Sequence, residues 1–401
     1  MERIKATILK NETHRLGDYI REVNVRNRDL KVTRLLGVGL EKKFFPSIAN
    51  IIGTDLSNYK VIKKGQFGCK FMSVGRDGIL PVSILEDDEP AIISSAYYAF
   101  EVNDPNELLP EYLMMWLSRP EFDRELWFYS GGDVRGGVNY EAFCDMPIYF
   151  PSIERQREIV SEYETLTRRI RLNNQMIEKL EATAQAIYHN TFVSGIDKQN
   201  LPDGWHLAKL GEVATIKGGK RLPKGDELQT ERTDHPYIKV ADMCNSKYVL
   251  LTSSFQYVSD AVQKQIRQYI VNMNDIILSI VGTIGRVNVI DESLDNANLT
   301  ENCVKLIDLR GVSYHYLYAF LSSNEGQQAI EQSMVGGVQA KLPIYNIEKL
   351  EVIVPNKSVL SKFDMNIGIV DGAIKNMQQE NTKLTDLQSL LLAKMGNNKI
   401  N

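Results

Sequence analysis

Apolar residues recur along the 401-residue chain in two rhythms. Over most of its length they come in short runs broken by Gly, Asp and Asn, as at 35–40, 59–67 and 94–102, which predicts strands and turns. From Ser152 to Val193 the rhythm changes. Ile159, Tyr163, Leu166, Ile170, Asn173, Ile177, Leu180, Ala184 and Ile187 fall at alternating steps of four and three, a heptad seam with one polar interruption. Adding 204 to each number gives a second seam, Phe363, Ile367, Val370, Ile374, Met377, Asn381, Leu384, Gln388 and Leu391. Proline is absent from both stretches, so two long helices of equal length and phase are expected to pair with each other. Asn173 and Asn381 interrupt the seams as register-fixing residues do, at some cost in stability.

The offset of 204 extends beyond the helices. Tyr112 and Leu113 match Tyr316 and Leu317, Leu117 and Ser118 match Leu321 and Ser322, Gly132 matches Gly336, and Pro151 matches Pro355. Leu210 to Ala214 also echoes Leu16 to Ile20. The chain therefore reads as one unit written twice, a globular α+β domain followed by a long helix. The segments expected are a first domain at 1–151, a long helix at 152–193, a connector at 194–206, a second domain at 207–355 and a second long helix at 356–398. Residues 1–15 suggest a helical lead-in. One helix is expected over Glu111–Tyr129, with Leu113, Trp116, Leu117 and Phe122 inward, and its repeat over Tyr314–Met334. Ser152 is placed to cap the first long helix, with Glu154 near its dipole.

Composition adds that this is an ordinary folded chain, 43% hydrophobic and 24% charged. No apolar run approaches a membrane span and no signal-peptide core opens the sequence, which reads as cytoplasmic. Cys69, Cys144, Cys244 and Cys303 are scattered, as structural thiols are. The net charge of −4 conceals segregation: residues 15–76 hold 13 Lys and Arg against 5 Asp and Glu, whereas 77–151 hold 3 against 15. A basic face on the first domain would suit phosphates, and a solvated basic loop region would show the same numbers.

Catalytic chemistry is poorly represented. The five histidines stand apart, with no metal helix, dinucleotide fingerprint or phosphate loop. Better represented are basic, glycine-containing loops at comparable places in the two copies. In the first domain these are Lys42, Lys43, Lys63, Lys64, Lys70, the turn from Ser73 to Arg76, and Arg135. In the second they are Lys217, Lys220, Arg221, Lys224, the turn from Gly282 to Arg286, Gln339 and Lys341. Lys and Arg suit phosphates, Arg can grip guanine and Gln adenine in bidentate fashion, and glycine lets backbone approach a duplex. For any one of these residues a solvated side chain is the simpler reading; their recurrence in both copies makes the set a candidate DNA surface. A seam from Ile159 to Ile187 would span about 43 Å at roughly 1.5 Å per residue, somewhat more than one turn of B-DNA at about 34–36 Å.

The order of domain, helix, domain, helix resembles the DNA specificity subunit of type I restriction-modification systems. The matching motifs are Asn50 to Leu56 with Ser73 to Asp77, the turn Leu201 to Trp205, Leu210-Gly211-Glu212, Gly282 to Arg286, and Pro151 with Glu154-Arg155-Gln156. The resemblance implies a non-catalytic chain with two target recognition domains, each reading half of a bipartite, asymmetric DNA site. It implies helices paired antiparallel through residues such as Ile159, Leu166, Ile170, Ile177, Leu180, Phe363, Ile367, Val370, Ile374 and Leu384, and docking two methylation subunits. Two restriction subunits would join that core. S-adenosylmethionine, ATP and Mg would belong to these partners, with no cofactor or metal held by this chain. The second helix departs from the pattern: Asn356-Lys357-Ser358 follows Pro355, and Gly368 and Gly372 lie inside. The alternative is a stand-alone nuclease or methyltransferase with built-in specificity domains, which the missing cofactor motifs disfavour.

Overall fold

A computed structural model describes residues 14–47, 53–129, 138–337 and 340–396. The chain divides into two compact units, Met1–Ile170 with Lys383–Asn401, and Arg171–Thr382. The division cuts both long helices, Ile153–Phe192 and Lys357–Gly396, each of 40 residues.

In the first unit the central sheet orders its strands Ile20–Glu22, Tyr98–Val102, Phe67–Cys69 and Val82–Ile84, all antiparallel. Alternation along a strand sends successive side chains to opposite faces. Phe100 and Val102 thus join the core beneath the helices, while Ala99 joins a smaller core with Ile62, Leu85 and Ile93. The helical stretch after the sheet breaks where the sequence suggested one continuous helix: Pro110–Leu117 ends at Ser118, and Pro120–Tyr129 starts afresh. A proline at position 120 cannot donate to the preceding turn. His14 and Arg15, assigned to a helical lead-in by sequence, instead form a short strand against Pro147–Ile148; residues 1–13 lie outside the described residues.

The second unit repeats this plan. Its main sheet runs Thr215–Gly218, Cys303–Ile307, Ile276–Ser279, Val287–Ile290, the same order and sense, then adds Tyr248–Val249 in parallel at the far edge. Ile276 and Leu278 face the helices, while Ile277 faces a second core containing Ile238, Leu299 and Cys303. Here too the helix breaks, into Tyr314–Ser322 and Asn324–Gln332, because the Ser323 side chain caps the second segment at the Gly326 amide. The strand His206–Lys209 pairs with Glu351–Val354 as His14–Arg15 pairs with Pro147–Ile148.

Both long helices contribute to each unit's core. In the first unit, Ile159, Val160 and Tyr163 share a cluster with Leu392 and Met395, and Gln388 donates to Thr167 at 2.7 Å. Gln156, fully buried, anchors the helix start by accepting from Leu109 N and donating to the Glu107 and Pro151 carbonyls. In the second unit Ile177, Tyr188 and Phe192 pack with Phe363, Ile367 and Ile374. As the first helix advances from Asn173 to Phe192, the second retreats from Asn381 to Phe363, so these segments are antiparallel. Every seam residue is buried or half-buried, Leu166, Ile170, Leu180, Val370 and Leu384 being half-buried. Asn173 donates to Asn381 and Glu380, both at 2.9 Å, and Asn381 donates to Asn174 at 2.7 Å. The polar interruptions are thus satisfied by one another.

A buried charge cluster ties the helices of the second unit to its sheet. Asp371, from the second long helix, accepts from Lys247 at 2.5 Å and Tyr248 at 3.0 Å, and lies 2.7 Å from His315. Glu181, from the first long helix, accepts from the Lys247 amide and from Ser246. Burial pushes the Asp371 carboxyl up, but His315 and Lys247 outweigh it and hold it below the ordinary carboxylate range. Its contribution to stability is therefore complete above the ordinary carboxylate pKa and is lost as pH falls through the lowered value.

Replacing Asp371 with Leu strands the Lys247 ammonium, and is expected to cost about 3–5 kcal/mol in denaturant unfolding of the second unit. The double change Lys247→Met with Asp371→Leu is expected to recover most of that loss. A double variant as unstable as the single one would contradict the pairing account.

Candidate nucleic-acid interface

In the second domain the edge strand Thr215–Gly218 runs antiparallel to Cys303–Ile307 and then crosses the turn at 299–303. Gly219 N donates to the Cys303 carbonyl and Lys220 N to the Leu299 carbonyl. A Cβ at Gly219 would lie 2.0 Å from the Thr300 carbonyl oxygen, so only glycine permits this crossing. The crossing brings Lys217, Lys220 and Arg221 to the surface as exposed side chains, with exposed Lys224 following. The Lys220 ammonium stands 5.5 Å from the Tyr269 ring, and Arg221 meets Glu301 at 2.6 Å.

The turn from Gly282 to Arg286 joins strands Ile276–Ser279 and Val287–Ile290. Its glycines at 282 and 285 take φ values of 78° and 89°. Buried Ser279 closes it, its hydroxyl donating to the Thr283 carbonyl and accepting from Arg286 N. Ile280 N donates to the Asn302 carbonyl, Leu342 N to the Ile280 carbonyl, and Val335 and Lys341 exchange two backbone bonds. These bonds join the crossing, the glycine turn and exposed Lys341 into one surface. Arg286 is half-buried and donates to the Met243 carbonyl at 2.8 Å, so part of its guanidinium holds the fold. Gln339 lies outside the described residues.

The first domain distributes its candidates differently. Lys42 is not a surface cation: its ammonium is buried against Asp123 at 2.8 Å and the Leu117 carbonyl. Burial pushes its pKa down while Asp123 pulls it up. Ser73 is likewise buried, only 3% exposed, because it lies beneath the helical turn Val74–Asp77. Lys43, Lys63, Lys64 and Arg76 are exposed, and Lys70 is half-buried, 6.0 Å from the Tyr97 ring. Lys63 and Lys64 stand before the strand Phe67–Cys69, while Lys70 and Arg76 stand after it, so the two groups flank opposite ends of that strand. Arg135 lies outside the described residues.

Folding offsets part of the charge segregation of the sequence. Arg21 pairs with Glu101, Arg34 with Asp87, Lys64 with Asp88 and Arg76 with Asp77, so carboxylates of the acidic half meet some cations of the basic half. Most of these pairs are solvent-exposed, and exposed pairs contribute only about 0–1 kcal/mol, leaving their cations available to a phosphate.

Sequence reasoning overlooked one group. With a single helix expected over Glu111–Tyr129, the aromatics at its end had no assigned face; the break at Pro120 resets the phase and leaves Phe128 77% and Tyr129 58% exposed. The proline was the legible signal. Among the described residues no group of His, Cys, Asp and Glu is arranged to hold a metal ion, and no helix is long and apolar enough to cross a membrane.

Two similar sheets, each with a connecting turn and helix at one end and with long helices in its core, define a duplicated recognition scaffold. The family model for the type I restriction modification DNA specificity domain matches residues 78–182 and 202–380. The chain belongs to that family, as a specificity subunit. The HindI specificity subunit of Haemophilus influenzae is 22% identical, over 90% of this chain and 92% of its own length. The MjaIX specificity subunit of Methanocaldococcus jannaschii is also 22% identical, over 72% of this chain and 68% of its own. Among solved structures, the type I restriction-modification S subunit from M. genitalium shares the fold, with a TM-score of 0.54 at 15% identity, covering 96% of this chain and 95% of that one.

In the assembled methyltransferase, Lys220→Ala and Lys341→Ala are each expected to lower the slope of log affinity against log salt by about 1, with assembly unchanged. Arg286→Ala is expected to lower the unfolding free energy as well, by about 1 kcal/mol for the lost carbonyl bond. Equal salt slopes in the wild type and both lysine variants would remove this surface from the interface.

Proposed function

We propose that the chain reads a bipartite, asymmetric double-stranded DNA site in the cytoplasm, one half-site per domain, and docks methylation and restriction subunits. The observation that carries this reading is the repeated sheet order with a connecting turn and helix at matching places, while the exposed side chains there differ between copies. Equal scaffolds with unequal surfaces suit two unlike half-sites. Exposed Lys43, Lys63, Lys64 and Arg76 with half-buried Lys70 in one domain, and exposed Lys217, Lys220, Arg221, Lys224 and Lys341 with half-buried Arg286 in the other, would supply phosphate contacts and the base contacts that arginine can make.

Docking is supported by the second long helix. Met365, Gly368, Ile369 and Gly372 are exposed at helical spacing, Ile369 by 74%, and a Cβ on either glycine would meet nothing within 4 Å. Glycine inside a solvated helix costs about 1 kcal/mol relative to alanine. A partner helix laid on this stripe would offset that cost through close approach. Two methylation subunits, with their S-adenosylmethionine, would bind along the long helices, and two restriction subunits with ATP and Mg would join them.

Footprinting of the full complex is expected to show two protected tracts of different sequence. Ile369→Arg is expected to weaken capture of a methylation subunit at least tenfold without altering the unfolding midpoint. One uninterrupted tract would contradict the bipartite reading, and unimpaired capture would contradict the docking stripe.

A further inference from the structure

Phe128 and Tyr129 stand at the last turn of helix Pro120–Tyr129, their ring centroids 6.3 Å apart and their planes at 83°. Phe122 and Leu126 mark the buried face of this helix. At about 100° per residue, Phe128 lies roughly 200° around from Leu126, on the side turned away from the core. Among the described residues neither ring belongs to a core cluster of the domain.

The position matters more than the exposure. Helix Pro120–Tyr129 packs along the segment joining strands Phe67–Cys69 and Val82–Ile84, where Asp123 accepts from Leu80 N at 3.0 Å. That segment carries Lys70 and Arg76. In the other copy the equivalent helix, Asn324–Gln332, packs along the glycine turn, with Gln327 donating to the Gly285 carbonyl at 3.0 Å. It leads directly to Val335, which is bonded to Lys341. This helix therefore packs along a segment of the candidate DNA surface in both copies. Where the first carries Phe128 and Tyr129, the offset of 204 places Gln332 and Ser333 in the second.

We infer that Phe128 and Tyr129 form an apolar wedge that the first domain presses into the stacked bases of its half-site, opening one base step. The inference rests on the DNA-reading function proposed above. Two rings offer on the order of 300–500 Å² of contact, short of the roughly 1,200 Å² of a specific protein interface. They suffice to fill one base step, the way inserted aromatic and aliphatic side chains unstack and kink a duplex. Cations on the adjoining segment hold the phosphates on either side. Because the second copy has Gln332 and Ser333 instead, only one half-site is opened by a wedge. The asymmetry would thus reach DNA shape as well as base contacts.

The test uses the complete methyltransferase and a duplex carrying its methylated site, with 2-aminopurine placed in turn at each step of both half-sites. Beyond the target adenines, which a methyltransferase flips out of the stack in each half-site, wild type is expected to raise the fluorescence at one further step of one half-site. Phe128→Ala with Tyr129→Ala is expected to abolish that rise and weaken binding roughly 10- to 100-fold, the scale of lost base stacking. The salt slope should stay unchanged, since no phosphate contact is removed. Phe128→Leu with Tyr129→Leu is expected to keep part of the rise, because leucine also wedges. Unchanged affinity and fluorescence in the double alanine variant would overturn the inference, as would opening of such a further step in both half-sites. A double variant that no longer captures the methylation subunits would assign the rings to a protein contact instead. A wild-type complex that binds no DNA would contradict the reading function itself, a result distinct from all of these.

Discussion

Neither globular domain closes its core without the long helices. In the first unit the floor of the core is Ile159 and Val160 from one helix and Met395 from the other; in the second it is Ile177, Tyr188 and Phe192 with Phe363, Ile367 and Ile374. Sheet strands there are only 2 to 5 residues long, too short to bury enough apolar surface by themselves. Each domain is therefore stable only with both helices in register. The register has a chemical marker in Asn173, whose amide is 4% exposed and finds Asn381 and Glu380 as partners. A slip by one turn would bury that amide against aliphatic side chains, at about 1–3 kcal/mol for the lost partner.

That dependence separates scaffold from reading surface. Residues that join the globular part to the long helices are fixed by burial: Gln156 in the first unit, the Lys247–Asp371 cluster in the second. Surface residues at the turn and helix end carry no such duty, and there the copies diverge. The second domain places a glycine turn where the first has the helical turn Val74–Asp77, and glutamine and serine where the first has two exposed rings. A duplicated chain can thus alter one reading surface without disturbing the core that both helices share.

The parts legible in the sequence are those written at short range. Heptad steps give the buried face of each long helix because 3.6 residues make a turn, and a shared offset of 204 carries through to helices at 153–192 and 357–396. Partners brought together by the sheet were not legible. Lys42 reads as a loop cation, and only the fold shows Asp123, 81 residues away, buried against it. The run of positive charge before residue 76 reads as a basic face, but its acidic counterparts return across the sheet and pair with it. Among the described residues the first copy's main sheet has no strand matching Tyr248–Val249, so the repeat itself could not announce that strand or its Lys247. Pro120 was readable, and it determines which way Phe128 points.

The central claim is that one chain carries two unlike reading domains on one shared pair of helices. Sequencing the methylated adenines in a host that carries this chain with its methylation subunits tests it most directly. The account predicts one motif made of two short, different half-sites separated by a spacer of constant length. A single uninterrupted motif, or two identical half-sites related by a palindrome, would contradict it.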